Sequence, residues 1–165
     1  MSDYTSLDGF ASTSNRRVFI SGLGAGLALA IAGGSSSVRA ASGSDLAKFA
    51  LRFEGKPYVW AGDSPRSGFD CSGLTMYCVR KVFGMDITHS VKLQWDYGTA
   101  VNQSALESGD LVFFKNTYQR GLSHVGIYIG RGKFVHAENE RTGVVVTPLN
   151  STYYTEHYKG ARRLR

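Results

Sequence analysis

Three side chains in this sequence could act together on an electrophilic carbon: Cys71, His124 and His136. Cys71 stands in Gly68-Phe69-Asp70-Cys71-Ser72-Gly73-Leu74, at the head of an apolar repeat that predicts a helix. A helix N-terminus and a cationic imidazole both favour thiolate over thiol, and the thiolate is the nucleophile. His124 and His136 each lie in a strand-like run. The first can take the thiol proton and later return it to a leaving group. The second can accept a hydrogen bond from the first ring and fix its tautomer. An oxyanion formed on attack needs donors already in place, and the Cys71 backbone N–H and the Tyr58 hydroxyl are the candidates.

The other candidates carry less. Asp70 can cap the helix. His89, in Ile87-Thr88-His89-Ser90, falls on a loop at the edge of the expected cleft, where it could touch substrate. His157 reads as a surface or packing residue. Cys71 and Cys78 are seven positions apart on one helix, roughly 10.5 Å along its axis, whereas bridged residues need Cα atoms within about 7 Å. Cys71 is therefore expected free. The same spacing does not suit structural zinc, so no metal and no organic cofactor is expected.

The elements that must position these groups follow from periodicity. Ser44 is the expected N-cap of a first helix whose stripe is Leu46, Phe49, Ala50 and Phe53, ended by Gly55. Pro57 forces residues 56–60 into an extended conformation, and residues 61–69 read as a loop. The second helix spans 71–83, with Cys71, Leu74, Cys78 and Val82 on one face and Gly84 as its stop. A short helical turn is predicted over 91–97. After Gly109 the period changes from 3.6 to 2, predicting strands over 110–115, 124–129, 133–138, 143–149 and 158–164. Helices followed by strands give an α+β fold, with helices packed on an antiparallel sheet.

The hairpin between the histidines is decisive. A three-residue loop, Gly130-Arg131-Gly132 with Gly132 left-handed, closes Ile129 against Lys133. That register puts Gly126 opposite His136 and His124 two positions along on the same face, where diagonal neighbours lie roughly 7–8 Å apart. A two-residue loop would turn the histidines to opposite faces. The longer turn, or a bulge, is therefore expected.

The chain has 165 residues, 42% of them hydrophobic and 19% charged, enough for one domain. Residues 1–40 read as an export signal rather than as structure. Arg16-Arg17-Val18-Phe19 precedes a weakly apolar, Gly/Ala-rich stretch, and Val38-Arg39-Ala40 offers a small-residue cleavage site. The arginine pair resembles the twin-arginine class. The stretch is too weakly apolar for a spanning helix, so no stable membrane anchor is expected. Residues 41–165 form the mature domain, placed in the periplasm or outside the cell. Three arginines and two aspartates fall in the leader, so the mature part keeps an excess of five positive charges. That suits an anionic wall polymer as well as plain solubility. Export and the lack of a basic stripe argue against nucleic acid.

Several ordered motifs resemble the NlpC family of papain-like cell-wall cysteine peptidases. They are Pro57-Tyr58-Val59-Trp60, the Cys71 segment above, Ser108-Gly109-Asp110-Leu111-Val112-Phe113-Phe114, Ser123-His124-Val125-Gly126-Ile127-Tyr128-Ile129-Gly130 and Phe134-Val135-His136-Ala137. Ala61 departs from the glycine usual in the family, a change expected to touch loop packing only. The resemblance implies a papain-like fold, with N-terminal helices on a five- to six-stranded antiparallel sheet. It implies a Cys71 acyl-enzyme, with scission of a D-γ-glutamyl–diamino-acid bond in peptidoglycan stem peptides. It also implies that Asp70 and Ser72 bind the free amino end of a short muropeptide. Gly73 and Ser123, inside the matching motifs, join His89 among the candidate substrate contacts. A monomer is expected. Two rivals remain at this point: an acyltransferase or amidase using the same Cys-His pair, and a catalytically silent wall-binding domain.

Overall fold

The computed structural model describes residues 39–164. The expected export signal lies outside them except for its last two positions. The first helix, α1 (Gly43–Leu51), begins earlier than its apolar stripe implied, with Ser42 and not Ser44 as N-cap. The cause is Asp45, whose Oδ2 accepts both the Ser42 backbone N–H at 2.8 Å and the Ser42 hydroxyl at 2.7 Å. Residues 61–69 are not a plain loop: β1 (Asp63–Ser64) and β2 (Gly68–Phe69) pair as a small hairpin.

Helix α2 (Cys71–Phe83) has the predicted bounds. Asp70 caps its start, and Gly84 ends it with a left-handed φ of 66°, a conformation that a Cβ disfavours. Leu74 and Cys78 are fully buried beneath it. The helical turn expected over 91–97 is shorter, α3 (Val91–Gln94).

The strands β3 (Thr99–Val101), β4 (Leu111–Lys115), β5 (Leu122–Gly130), β6 (Lys133–Ala137), β7 (Val144–Pro148) and β8 (Tyr158–Arg163) form one antiparallel sheet, ordered β3-β8-β4-β5-β6-β7. Helix α4 (Thr152–His157) connects β7 to β8. Neither β3 nor α4 was predicted. Both are short and show too few turns of any period to stand out. Among the described residues four α-helices and a six-stranded antiparallel sheet make the fold α+β, as the order of periods implies.

The sheet is packed on both faces. Val125, Ile127, Val135 and Ala137 join the core that α1 and α2 cover, together with Leu46, Leu74 and Cys78. Val112, Phe114, Phe134 and Tyr154 form a second core on the other face, closed by α4. Alternation along β5 and β6 turns His124 and His136 to this second face.

The β5–β6 turn takes the bulged form of the two expected. Arg131 and Gly132 alone make the loop, both left-handed at φ 53° and 69°, and Gly130 pairs with Lys133. The ladder then slips by one residue at Ile129, so that Ile127 faces Val135. This restores the register that puts Gly126 opposite His136. No helix among the described residues is long and apolar enough to cross a membrane.

Candidate active site

Asp70 organises the start of α2. Its Oδ1 accepts from the Gly73 N–H at 2.7 Å, the Ser72 hydroxyl at 3.0 Å and His89 Nε2 at 2.9 Å. Its Oδ2 accepts from the Ala61 N–H at 3.0 Å. One carboxylate thus joins four partners from three segments. Ala61 meets this requirement in a left-handed conformation, φ 58°, which a glycine would adopt without strain. The departure at this position is therefore a matter of backbone conformation.

The loop that carries His89 is tied to α2 by Gln94, which is fully buried. Its Nε2 donates to the carbonyls of Ser72 at 2.9 Å and Thr88 at 2.7 Å, and its Oε1 accepts from Thr75 Oγ1 at 2.7 Å. Gln94 drew no notice in the sequence, because an isolated glutamine in a helical turn carries no pattern.

Cys71 opens onto a cleft of about 350 Å3 lined by Tyr58, Trp60, Asp70, Ser72, His89 and Tyr118, among others. Two sequence candidates do not line it. Gly73 lies behind the wall, where a Cβ would meet the Gly62 carbonyl oxygen at 2.0 Å. Ser123 is fully buried and its hydroxyl is engaged by the N–H and Oγ1 of Thr117, at 2.9 and 2.7 Å. Gly73 allows close packing and Ser123 anchors the β4–β5 loop, so neither is placed to touch substrate in the cleft.

The two imidazoles form a continuous relay. His124 Nε2 lies 2.8 Å from His136 Nδ1, and His136 Nε2 lies 2.9 Å from Thr147 Oγ1. The ring centroids are 4.9 Å apart and the rings nearly perpendicular. Phe134 stacks on His136 at 4.4 Å, and Tyr154 packs edge-on against it at 5.2 Å. With both rings neutral, the assignment in which each Nε2–H points along the chain toward Thr147 leaves Nδ1 of His124 as an open acceptor. Thr147 and Tyr154 could not be picked from the sequence, since each reaches the rings from a distant element.

The thiol lies against β5 at Val125, the residue after His124, where β5 and β6 part. Their ladder runs from Ile127↔Val135 toward the turn and does not extend back to His124. There the N-terminus of α2 abuts β5, with the backbone N–H groups of Val125, Ser72 and Cys71 facing Sγ. Burial nevertheless dominates the protonation of both partners. It pushes the Cys71 thiol up to about 12, with the Asp70 charge adding to the rise and the three N–H groups opposing it. Burial also holds His124 down at about 4, offset only in part by Asp70, and His136 lies well below the usual imidazole range. The sequence reading anticipated a thiolate stabilised by a cationic His124. Burial thus disfavours a lone charge on either group, because neither is well solvated there.

Burial also raises the Tyr58 phenol, with the Cys71 and Asp70 charges adding to it, so Tyr58 keeps its proton and can donate. On the far side of Tyr118 lies a second hollow, about 350 Å3, lined by Thr117, Tyr118, His124, Glu138, Asn139, Tyr153 and Tyr154. The thiol borders one hollow and the base the other, with Tyr118 common to both.

A profile of the NlpC/P60 family matches residues 55–163. Over 114 residues the chain is 39% identical to the gamma-DL-glutamyl hydrolase of Bacillus subtilis (strain 168), an alignment covering 69% of this chain and 27% of that protein. Over 112 residues it is 39% identical to the murein DD-endopeptidase MepH of Escherichia coli (strain K12), covering 67% of this chain and 41% of that protein. Among solved structures, an NlpC/P60 family protein from Bacillus cereus ATCC 10987 superposes with a TM-score of 0.70 at 37% identity, over 76% of this chain and 41% of that one. The NlpC/p60 domain of the peptidoglycan hydrolase SagA superposes with a TM-score of 0.66 at 33% identity, over 74% of this chain and 99% of that one. The match thus spans less than half the length of the two curated relatives.

Proposed function

The chain belongs to the NlpC/P60 family, and from that premise we propose that it is a cysteine endopeptidase hydrolysing peptidoglycan stem peptides at a D-γ-glutamyl–diamino-acid bond. The observation that carries this reading is the relay of His124 and His136, with ring nitrogens 2.8 Å apart, and the thiol of a helix start set against Val125, next to His124. The relatives named as a gamma-DL-glutamyl hydrolase and a murein endopeptidase supply the substrate class.

Because burial disfavours a lone charge on Cys71 or His124, attack and proton transfer go together. Sγ bonds to the acyl carbon while its proton passes to Nδ1 of His124, and the carbonyl π electrons move to oxygen. The Cys71 N–H and the Tyr58 hydroxyl donate to that oxygen. His136, bonded to Nε2 of His124, spreads the positive charge for the lifetime of the intermediate. On collapse the C–N bond breaks and His124 gives its proton to the departing amine, leaving a thioester on Cys71. Water then attacks the thioester carbon, His124 takes the water proton and returns it to Sγ, and the γ-carboxylate leaves. Asp70 and Ser72 border the acyl side, where an amino end would meet the carboxylate.

Export completes the reading. Residues 1–40 act as a twin-arginine-like signal, and residues 41–165 work as a monomer in the periplasm or outside the cell. Support comes from the Arg16-Arg17 pair, the Gly/Ala-rich stretch and the small residues before position 41.

Incubating purified muropeptides with the protein and with Cys71→Ala, followed by mass spectrometry, tests the activity. Loss of the stem beyond D-glutamate with wild type, reduced roughly 10⁴-fold or more in the variant, is the expected result. Equal product from both proteins would overturn the Cys71 mechanism.

A further inference from the structure

Resting on the endopeptidase reading, we infer that Glu138 is a specificity residue that binds the terminal ammonium of the side chain on the amine-releasing residue. The enzyme thereby favours diamino acids whose side chain ends in a net positive charge.

The direction of the substrate follows from the two hollows. The acyl carbon bonds to Cys71, which borders the first hollow, and the departing amine takes its proton from His124, which borders the second. The amine-releasing residue must therefore occupy the hollow on the His124 side. Glu138 lines this hollow together with His124, and Tyr154 joins them, its ring against both imidazoles and its hydroxyl on Glu138.

The hollow has the chemistry of an ammonium site. Among the described residues Glu138 is the only carboxylate that lines it, and no lysine or arginine does. Tyr154 Oη donates to Glu138 Oε1 at 3.2 Å, and Thr142 Oγ1 donates to Oε2 at 2.7 Å. These bonds orient the carboxylate and leave each oxygen with capacity to accept. No salt bridge to Glu138 occurs among the described residues. Tyr153 and Tyr154 also line the hollow, and aromatic rings suit both a cation and an aliphatic stem. A side chain ending in both ammonium and carboxylate would bring its anion toward Glu138 with no positive partner in the wall. Amidation of that carboxylate would remove the conflict.

The alternative is that Glu138 only staples the turn over 139–142 through Thr142. Four peptides of the form L-Ala-γ-D-Glu-X distinguish the two, with X as L-lysine, L-norleucine, meso-diaminopimelate or its side-chain amide. The measurement is kcat/KM of the wild-type protein and of Glu138→Gln. Wild type should prefer lysine over norleucine by about tenfold or more, and the amidated diaminopimelate over the free acid. Glu138→Gln should bring the lysine-to-norleucine ratio close to one. Equal wild-type rates for lysine and norleucine would overturn the inference while leaving the endopeptidase reading intact. So would a Glu138→Gln variant that slows all four peptides by one factor. Should the variant fail to fold, the wild-type series alone still decides. Cleavage of none of the peptides would overturn the endopeptidase reading, and this inference with it.

Discussion

The thiol and the imidazole pair are fixed by different forces. Around Cys71 the work is done by hydrogen bonds: Asp70 gathers Gly73, Ser72, His89 and Ala61, and Gln94 ties His89's loop back to α2. Around the histidines it is done by ring packing, with Phe114, Phe134 and Tyr154 all against the pair. Hydrogen bonds of this kind set direction within a few tenths of an ångström but contribute modestly to net stability. Buried aromatic packing contributes more and is less tolerant of truncation. The nucleophile should therefore be sensitive to polarity changes, and the base to changes in volume.

The largest effect is expected on the packed side. Phe134→Ala removes the ring stacked on His136 and should destabilise the protein by about 3–5 kcal/mol, read from urea denaturation. Activity should fall further than the folded fraction alone explains, because His136 would lose its support. Retention of full activity in the folded fraction would show that the hydrogen bonds to Thr147 and His124 suffice.

The two halves should also fail at opposite ends of the pH scale. His124 sits at about 4 against an ordinary 6.5. Between those values an unfolded chain takes up a proton that the folded protein refuses. Its contribution is complete above about 6.5 and is lost as pH falls toward 4, on the order of 3 kcal/mol. His136 moves in the same direction. Cys71 lies at about 12 against an ordinary 9.0, so its contribution is complete below 9.0 and is lost as pH rises toward 12. Denaturation midpoints measured across pH should thus show an acid limb that weakens in His124→Phe and an alkaline limb that weakens in Cys71→Ala. An acid limb unaltered in His124→Phe would assign it to other groups.

Smaller effects should come from the hydrogen-bonded side. Asp70→Ala deletes a helix cap and leaves His89 and Ala61 without their acceptor, at about 2 kcal/mol. Circular dichroism melts would show it, along with a loss of turnover out of proportion to stability. Ala61→Gly relieves a left-handed alanine and should raise stability by up to about 1 kcal/mol. A lower melting temperature for that variant would mean that the Cβ contributes packing worth more than the strain.

The same contrast explains what could be read in advance. The thiol's half is built mostly from residues 58–94, so its parts lie close together in sequence. Asp70, Cys71 and Gly84 gave the bounds of α2 because a cap, a helix face and a left-handed stop are local signals. The histidines' half draws on residues 114, 134, 147 and 154, from four separate elements. Even so, the face shared by His124 and His136 followed from counting alone. Thr147 and Tyr154 did not, and neither did α4, which delivers Tyr154. Gly73 and Ser123 were grouped with substrate contacts because they sit in recognisable motifs. Motif membership does not separate a residue that lines a wall from one that holds it up from behind.

The slipped residue at Ile129 has a consequence for how such a protein can diverge. Losing that one residue would leave a plain two-residue turn with the same pairs beyond it, Tyr128↔Phe134 and Ile127↔Val135, so both rings would keep their face. Losing or gaining one amino acid between the slip and either imidazole would instead send that ring through the sheet. Natural variants of this hairpin should therefore change length by single steps at the slip and not along the strands that lead to the relay.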